Sequence, residues 1–213
     1  MNSLFTHIPK WVQTFFKNYT WSIDTEQKEL YLTFDDGPTP EITEWVLGQL
    51  KKHEAKATFF CIGKNIEAHP EIFKKIIKNG HSVGNHTYDH LKGWKTNTEV
   101  YFQNIKKTEE VLERYKLPNS KRLFRPPYGK IKKSQVKKIS HNNYEVIMWN
   151  VLSGDFDKNL SNEKCSQNVI KHSEKGAIIV FHDSYKAAKN MMYALPKVLE
   201  QFSKKGYTFK AIT

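Results

Sequence analysis

The sequence predicts a parallel α/β architecture in a single domain, with strand ends gathered on one face as in a (β/α) barrel. Three features of the sequence predict this. Strand-like and helix-like segments alternate from residue 29 to the C-terminus, without a linker or an internal repeat. The chain has 213 residues, enough for one large domain with a sizeable core. Polar residues typical of active sites recur at the strand ends.

Each element has a local justification. The strand-like segments are short and rich in aromatic and β-branched residues, and turn residues such as Gly63 and Asn79-Gly80 bound them. These patterns predict strands at 29–34, 57–62, 81–85, 122–124, 144–149, 177–181 and 207–210. They predict helices at 41–53, 70–78, 98–115, 132–141, 161–173 and 186–204.

Residues 1–28 form an N-terminal segment ahead of the domain at 29–213. Its apolar residues recur at helical intervals, as on one face of an amphipathic helix: Ile8, Trp11, Val12, Phe15, Phe16 and Tyr19. Pro9 suits the first turn of such a helix. We expect the helix to pack on the barrel. The alternative is an interfacial membrane anchor, which Lys10 and Lys17 favour slightly.

The formal net charge of +12 indicates an anionic partner, such as a charged polymer or a lipid surface, although a compositional bias toward lysine would give the same charge. Only Arg114, Arg122 and Arg125 are arginines and no nucleic-acid motif is present, so nucleic acid is not expected as a partner. Cys61 and Cys165 suggest neither a disulfide framework nor a cysteine-based zinc site. No secretory signal is recognisable, so we expect a cytoplasmic location, with membrane association as a further option.

Polar and charged residues lie at, or shortly after, the carboxyl ends of the predicted strands. In a (β/α) barrel these ends converge on one face, where active sites form. Five such places in one chain exceed what turn formation requires, so the sequence predicts one active site there. The residues are Asp35, Asp36, His86, Arg125, Asp155 and His182.

Asp35 and Asp36 are adjacent carboxylates at the end of a predicted strand. Two like charges side by side are unfavourable without a cation nearby, and a metal ion is the simplest one. The plain alternative is a solvated turn, because Asp, Gly and Pro favour turns. His86 and His90 stand four residues apart and would share one face if this segment is a helical turn. With one carboxylate they would form a site of the kind that catalytic zinc or non-haem iron uses.

Four ordered motifs resemble those of the polysaccharide deacetylases, which form carbohydrate esterase family 4. They are Thr33-Phe34-Asp35-Asp36-Gly37, His86-Thr87-Tyr88-Asp89-His90, Arg125-Pro126-Pro127-Tyr128-Gly129 and the strand that ends in His182-Asp183. The resemblance runs from about residue 29 to the C-terminus. It implies a distorted (β/α) barrel and metal-dependent removal of acetyl groups, usually N-acetyl, from an amino-sugar polymer.

The resemblance implies that Asp36, His86 and His90 bind a divalent metal. Zn²⁺ is the first expectation, and Co²⁺, Fe²⁺ and Ni²⁺ are the alternatives. One such ion can both activate water and polarise the carbonyl of an amide, which otherwise resists hydrolysis.

The resemblance implies five further roles. Asp35 would be the general base, and Arg125 would orient it through a bidentate contact that lysine cannot make. The backbone N–H of Tyr128 would stabilise the oxyanion. His182 would protonate the departing amine, and Asp155 would tune that histidine.

Three positions depart from the family's pattern. Leu152 replaces an Asp and Phe156 a Trp in the fourth motif, and Val180 stands where the fifth motif usually has Leu. These changes concern the acyl pocket and the surroundings of His182. We therefore expect metal-dependent hydrolysis as the general reaction. The specific reaction that we expect is N-deacetylation of peptidoglycan or a chitin-like oligomer. The alternatives are an O-acetyl esterase on xylan or a similar glycan, and a catalytically silent carbohydrate- or membrane-binding module.

Overall fold

A computed structural model describes residues 6–117 and 121–213. Within these residues a curled sheet of eight strands carries helices on its outer face. The strands are β1 (Glu29–Asp35), β2 (Ala57–Cys61), β3 (Ser82–Asn85), β4 (Arg122–Phe124), β5 (Tyr144–Val146), β6 (Val151–Leu152), β7 (Ile178–His182) and β8 (Thr208–Phe209). The α-helices are α1 (Lys10–Phe15), α2 (Ile42–Lys52), α3 (Gly63–Ala68), α4 (Pro70–Lys78), α5 (Thr98–Glu113), α6 (Lys133–Ser140), α7 (Asn162–His172) and α8 (Ala188–Lys204).

The strand order in the sheet is β5-β4-β3-β2-β1-β7-β6, and β8 pairs with the start of β1. All pairs among the described strands are parallel. The sheet curls but stays open, because β5 and β6 lie at its two ends. The predicted distorted (β/α) barrel is therefore confirmed. Because the strands run in one direction, their carboxyl ends share one face of the molecule.

Strand β1 shows how the sheet sorts its side chains. Successive residues face opposite sides of a strand. Phe34 faces the helices and stacks on Phe59 and Phe181 of the neighbouring strands, with ring centroids 5.1 and 6.1 Å away. Thr33 and Asp35 face the inner side of the curled sheet. The aromatic stack therefore holds β1 in the centre of the sheet and directs Asp35 toward the interior.

The structure departs from the predicted elements at two places. The strand predicted at 144–149 ends early, at Val146, and β6 is a separate strand beyond the predicted range that pairs with β7. Arg125 explains the early end: its side chain donates hydrogen bonds to the carbonyls of Ile147 and Met148, which removes these acceptors from a regular strand ladder. Gly63, interpreted from the sequence as the end of a strand, also begins helix α3.

Helix α1 is shorter than the amphipathic helix predicted for the N-terminal segment. None of its residues is buried. Trp11, Phe15 and Phe16 are 65%, 77% and 47% exposed. Among the described residues, no helix combines the length and apolarity needed to cross a lipid bilayer.

The backbone on either side of α1 nevertheless docks on the sheet. The N–H of Ile8 donates to the carbonyl of Asn150, and the N–H of Thr20 donates to the carbonyl of Val146, both at 2.9 Å. Trp21 packs against a hydrophobic cluster formed by α5, α6, β4 and β5. The segment therefore contacts the barrel through backbone pairing and Trp21, because the six residues of α1 are too few to lay a continuous face on it. The boundary between residues 28 and 29 stays a prediction.

Deleting residues 1–20 is expected to lower the melting temperature by several degrees, because the deletion removes these backbone contacts. About 1 kcal/mol corresponds to roughly 2–4 °C in a domain of this size. The double variant Trp11→Ala/Phe15→Ala is the control. It should have the melting temperature of the unmodified full chain, since both side chains are exposed. Circular dichroism measures both. A truncated chain that melts at the full-length temperature would show that the segment adds no stability.

Candidate active site

The paired carboxylates at the end of β1 point in different directions. Asp35 is the last residue of the strand and is 4% exposed. Asp36 has a φ of 85°, a left-handed conformation that few non-glycine residues adopt. This turn directs the Asp35 carboxylate toward Arg125 and the Asp36 carboxylate toward His86 and His90. The two adjacent side chains can therefore perform different tasks.

Asp36, His86 and His90 form a cluster whose ligand atoms lie within 4.8 Å of one another. Asp36 Oδ1 is 3.3 Å from His90 Nε2 and 3.9 Å from His86 Nε2. This oxygen is buried and has no hydrogen-bond partner among the described residues. A buried carboxylate oxygen without a partner is costly, and a cation shared with the two imidazoles would offset that cost. A carboxylate and two imidazoles suit a divalent metal such as zinc.

Both histidines of the cluster are held in the neutral form that binds metals. Burial lowers the pKa of His86 to about 3, and the neighbouring His90 adds to this shift. Burial also lowers the pKa of His90, although the charge of Asp36 opposes the shift. His86 Nδ1 donates to the carbonyl of Arg125 at 2.8 Å. This bond orients the ring and leaves Nε2 as the nitrogen that can bind an ion.

The spacing of His86 and His90 arises from an irregular loop, and the helical turn considered from the sequence is absent. Thr87 and His90 have φ values of 63° and 55°, both in the left-handed region. Asn104 of α5 holds this loop, since its Oδ1 accepts hydrogen bonds from two consecutive backbone N–H groups at 2.8 and 3.0 Å. A contact from a distant helix therefore positions the histidine pair.

Arg125 is fully buried in the interior of the curled sheet. Its Nη1 donates to Asp35 Oδ1 at 2.8 Å and to Thr33 Oγ1 at 2.6 Å. Nε and Nη2 donate to the carbonyls of Ile147 and Met148. The expected bidentate contact with Asp35 is therefore wrong. Only one nitrogen reaches the carboxylate, because the other donors bind the chain that follows β5.

Tyr128 lies in the short turn after β4 and has a φ of 61°. The two hydrogen bonds that close this turn are donated by the N–H groups of Gly129 and Lys130. The Tyr128 ring packs on His90 with 4.7 Å between ring centroids. Gly129 has a φ of 64°, and a Cβ there would meet the Trp149 ring at 2.7 Å. The turn thus brings Tyr128 against the Asp36–His86–His90 cluster, next to which the oxyanion donor is expected.

His182 ends β7, and the strand register pairs it with Asp35. Its Nδ1 donates to Asp155 Oδ1 at 2.7 Å, and its backbone N–H donates to Oδ2 of the same carboxylate at 2.7 Å. Burial alone would lower the pKa of His182, but the charge of Asp155 and this hydrogen bond raise it to about 9. His182 is therefore cationic at neutral pH and can donate a proton.

The three residues that depart from the family's pattern lie close to His182 or on the strands that lead to it. Phe156 packs edge-on against the His182 ring, with 5.2 Å between ring centroids. Leu152 and Val180 are buried partners on β6 and β7. The surroundings of the histidine are therefore apolar on this side, and Asp155 supplies the charge.

Asp183 is a buried carboxylate whose role is not apparent from the sequence. Its Oδ1 accepts from the N–H of Gly37 at 3.0 Å, and its Oδ2 accepts from the Thr43 hydroxyl at 2.5 Å. A Cβ on Gly37 would collide with this carboxyl group. Burial raises the pKa of Asp183 to about 8, although the bond from Thr43 opposes the shift. Asp183 thus stabilises the turn after β1. Its position directly after the end of a predicted strand is the sequence feature that could have identified it as a residue near the site.

These residues line one open region at the carboxyl ends of the strands. Asp35 and His182 lie beside each other on paired strands, next to the Asp36–His86–His90 cluster. A cavity of about 330 Å³ adjoins the cluster and is lined in part by Ile62, His69 and Tyr185. The arrangement can hold a metal, accept a proton at a carboxylate and donate a proton from a cationic histidine.

Comparisons with known proteins agree with this geometry. The family model for polysaccharide deacetylases matches residues 22–147. A peptidoglycan-N-acetylglucosamine deacetylase from Bacillus cereus is 38% identical over 200 residues, which cover 93% of this chain and 71% of that protein. The crystal structure of a peptidoglycan N-acetylglucosamine deacetylase superimposes with a TM-score of 0.85 at 36% identity, covering 96% of this chain and 95% of that chain. A carbohydrate esterase family 4 pseudoenzyme from Bacillus anthracis gives a TM-score of 0.78 at 26% identity, covering 90% and 66%.

Asp155→Asn is expected to lower the pKa of His182 from about 9, because the charge that stabilises the imidazolium is lost while burial remains. Titration of the His182 ring by NMR measures this pKa directly. Asp157→Asn is the matched control, since Asp157 bonds the N–H of Asn159 and not His182. Equal His182 pKa values in wild type and Asp155→Asn would contradict the assigned pairing.

Proposed function

Because the chain belongs to the polysaccharide deacetylase family, carbohydrate esterase family 4, we propose that it is a metal-dependent hydrolase that removes acetyl groups from N-acetylglucosamine-containing glycans. The observation that carries this proposal is the position of the Asp36–His86–His90 cluster beside a buried carboxylate and a cationic histidine. Hydrolysis of an amide needs a polarised carbonyl, an activated water and a proton for the departing amine. The site offers a group for each requirement.

Peptidoglycan is the substrate that we propose first. Several similar proteins that match over most of this chain are named peptidoglycan N-acetylglucosamine deacetylases. A chitin-like oligomer offers the same acetamido sugar and is the second choice. Both polymers are long, and the site suits them because it opens to solvent beside an adjoining cavity.

Asp36, His86 and His90 are the residues that would hold the metal, and we propose Zn²⁺ as its identity, with Co²⁺, Fe²⁺ and Ni²⁺ as alternatives. When bound, the ion supplies Lewis acidity to the acetyl carbonyl and to the attacking water. The neutral imidazoles and the unpartnered Asp36 oxygen support this assignment.

Asp35 accepts the proton of the water that attacks the acetyl carbonyl carbon. Arg125 holds the carboxylate in place through one hydrogen bond, so that its second oxygen stays available. The backbone N–H of Tyr128 donates to the oxygen of the tetrahedral intermediate, which carries the negative charge. These groups stand on β1 and on the turn after β4, which the parallel sheet brings together.

His182 protonates the glucosamine nitrogen as the C–N bond breaks. The products are then acetate and a free amine, and the proton comes from the imidazolium that Asp155 stabilises. Asp35 and His182 are paired across the adjacent strands β1 and β7. Proton acceptance and proton donation therefore occur side by side at the carboxyl ends of these strands.

Two rival functions use the same fold. An O-acetyl esterase on xylan or a similar glycan would need the metal and the base but a weaker acid, because an alcohol leaves more readily than an amine. A silent binding module would resemble the pseudoenzyme of this family. The pair of His182 and Asp155 favours N-deacetylation over both, since a departing amine needs a proton more than a departing alcohol does and a binding module needs no proton donor.

Acetate release from N-acetylglucosamine oligomers and from O-acetylated xylan oligomers, together with metal content, tests the proposal. Wild type should act on the N-acetyl oligomers. Asp36→Ala should lose metal and regain part of its activity in excess Zn²⁺. Asp35→Asn should keep the metal but lose on the order of a hundred- to ten-thousandfold in rate without rescue by added metal.

Asp24→Asn, at an exposed position outside the site, is the control for this experiment and should match wild type. Loss of metal in Asp35→Asn with retention in Asp36→Ala would reverse the two roles. Activity on the O-acetyl oligomers alone would replace the proposed reaction with ester hydrolysis.

We also propose that α1 makes peripheral contact with an anionic membrane. Trp11 and Phe15 of α1 and Phe16 directly after it are exposed, and Lys10 and Lys17 flank them. Exposed aromatic side chains next to lysines bind the interface of acidic bilayers. The full chain should co-sediment with vesicles that contain phosphatidylglycerol, and Trp11→Ala/Phe15→Ala should reduce the bound fraction severalfold. Neutral phosphatidylcholine vesicles are the control. Equal binding of the double variant and wild type to the acidic vesicles would show that α1 does not contact the membrane.

A further inference from the structure

Three exposed lysines surround the candidate active site, and each places its ammonium group over an aromatic ring. The Nζ atoms of Lys92, Lys130 and Lys186 lie 5.1, 5.2 and 5.5 Å from ring centroids. The rings belong to Tyr128, Trp94 and Phe156, in the same order. We call these six residues the lysine–aromatic rim. Stacking over a ring restrains a flexible lysine and so gives its charge a defined position.

Two of the rings touch the catalytic groups themselves. Tyr128 packs on the metal-binding His90, with 4.7 Å between ring centroids. Phe156 packs on His182, the proposed proton donor, with 5.2 Å between ring centroids. One aromatic ring therefore lies between Lys92 and His90, and another lies between Lys186 and His182.

The third pair extends the rim along the metal side. The indole Nε1–H of Trp94 donates to the carbonyl of Ile131 at 3.1 Å, which fixes the ring beside the turn that carries Tyr128. Trp94 is 60% exposed, and Lys130 lies over it. A sugar that reaches the site from this side would meet an exposed indole face and a lysine.

The charges of the rim are uncompensated within the described part of the chain. Lys92, Lys130 and Lys186 form no ion pair there, whereas other lysines such as Lys75 and Lys138 bind glutamates. An unpaired ammonium group beside a cleft raises the local concentration of anions and favours anionic ligands. A neutral polymer would offer these three charges no partner.

We propose that the rim selects an anionic glycan, in which sugars next to the acetamido sugar carry carboxylate or phosphate groups. This inference rests on the proposed function and names the class of substrate for the same site. The aromatic rings contact the apolar faces of the sugars, and the lysines bind the acidic substituents. Neutral chitin-like oligomers should bind less tightly.

The test compares three N-acetylated tetramers of equal length. One is neutral tetra-N-acetylchitotetraose, one alternates N-acetylglucosamine with carboxylated N-acetylmuramic acid, and one is the chitotetraose bearing phosphate monoesters. Binding to the full chain is measured by calorimetry, and KM and kcat by acetate release. Wild type should bind one or both anionic tetramers about tenfold more tightly than the neutral one, and 0.5 M NaCl should remove most of the difference. The two anionic arms show whether carboxylate or phosphate is preferred.

The variant Lys92→Gln/Lys130→Gln/Lys186→Gln should raise the Kd and KM for the preferred anionic tetramer about tenfold, with little change in kcat or in binding of the neutral tetramer. The matched control is Lys51→Gln/Lys52→Gln/Lys78→Gln. It removes the same charge from the C-terminal ends of α2 and α4, on the opposite side from the carboxyl ends of the strands, and should behave as wild type.

Equal affinity of wild type for neutral and anionic tetramers would overturn the inference while leaving deacetylation intact. An equal loss in both triple variants would also overturn it, because overall charge would then explain the effect. Preferential binding of an anionic tetramer that depends on the rim, without acetate release from any tetramer, would support the rim and refute the proposed function.

Discussion

One buried guanidinium links the parts of the site. A buried charge is costly unless its hydrogen bonds are satisfied, so the chain around Arg125 must supply acceptors for all of its nitrogens. The Asp35 carboxylate supplies one, and the Ile147 carbonyl is among the others. The Phe60 ring lies 4.1 Å from the guanidinium carbon, and the backbone carbonyl of Arg125 orients His86. The positions of Asp35 and His86 therefore depend on a single side chain and its backbone.

The site also depends on backbone conformations that cost energy. Asp36, Thr87, His90 and Tyr128 all have positive φ values, although none is glycine. Such conformations persist only where the surrounding structure enforces them. The side-chain oxygens of Asp183 and Asn104 accept backbone hydrogen bonds that hold the turn after β1 and the histidine loop. The strain has a structural purpose, since regular strands and helices would point these side chains away from a common centre.

Electrostatics gives the same residue type two opposite states within one site. Burial disfavours a cationic imidazole, and His86 accordingly has a pKa of about 3. His182 is also largely removed from solvent, with 16% of its side chain exposed, yet its pKa is about 9, because Asp155 accepts its Nδ1–H and contributes a negative charge. Neutral histidines can bind a metal, and a cationic one can donate a proton. The direct hydrogen bond to Asp155, which His86 and His90 lack, therefore accounts for the different charge state of His182.

The sequence by itself determined the alternation of strands and helices, the placement of Asp35 and His182 at strand ends, and the identity of the residues that gather there. Local apolar periodicity and turn residues report these features, because each depends on neighbours in the chain. Only the tertiary structure decided how Arg125 distributes its hydrogen bonds, and those bonds engage the carbonyls where the strand predicted at 144–149 ends early. It also decided the irregular path between His86 and His90, and the exposure of α1. These features arise from contacts between residues far apart in the chain, and local sequence patterns do not predict such contacts.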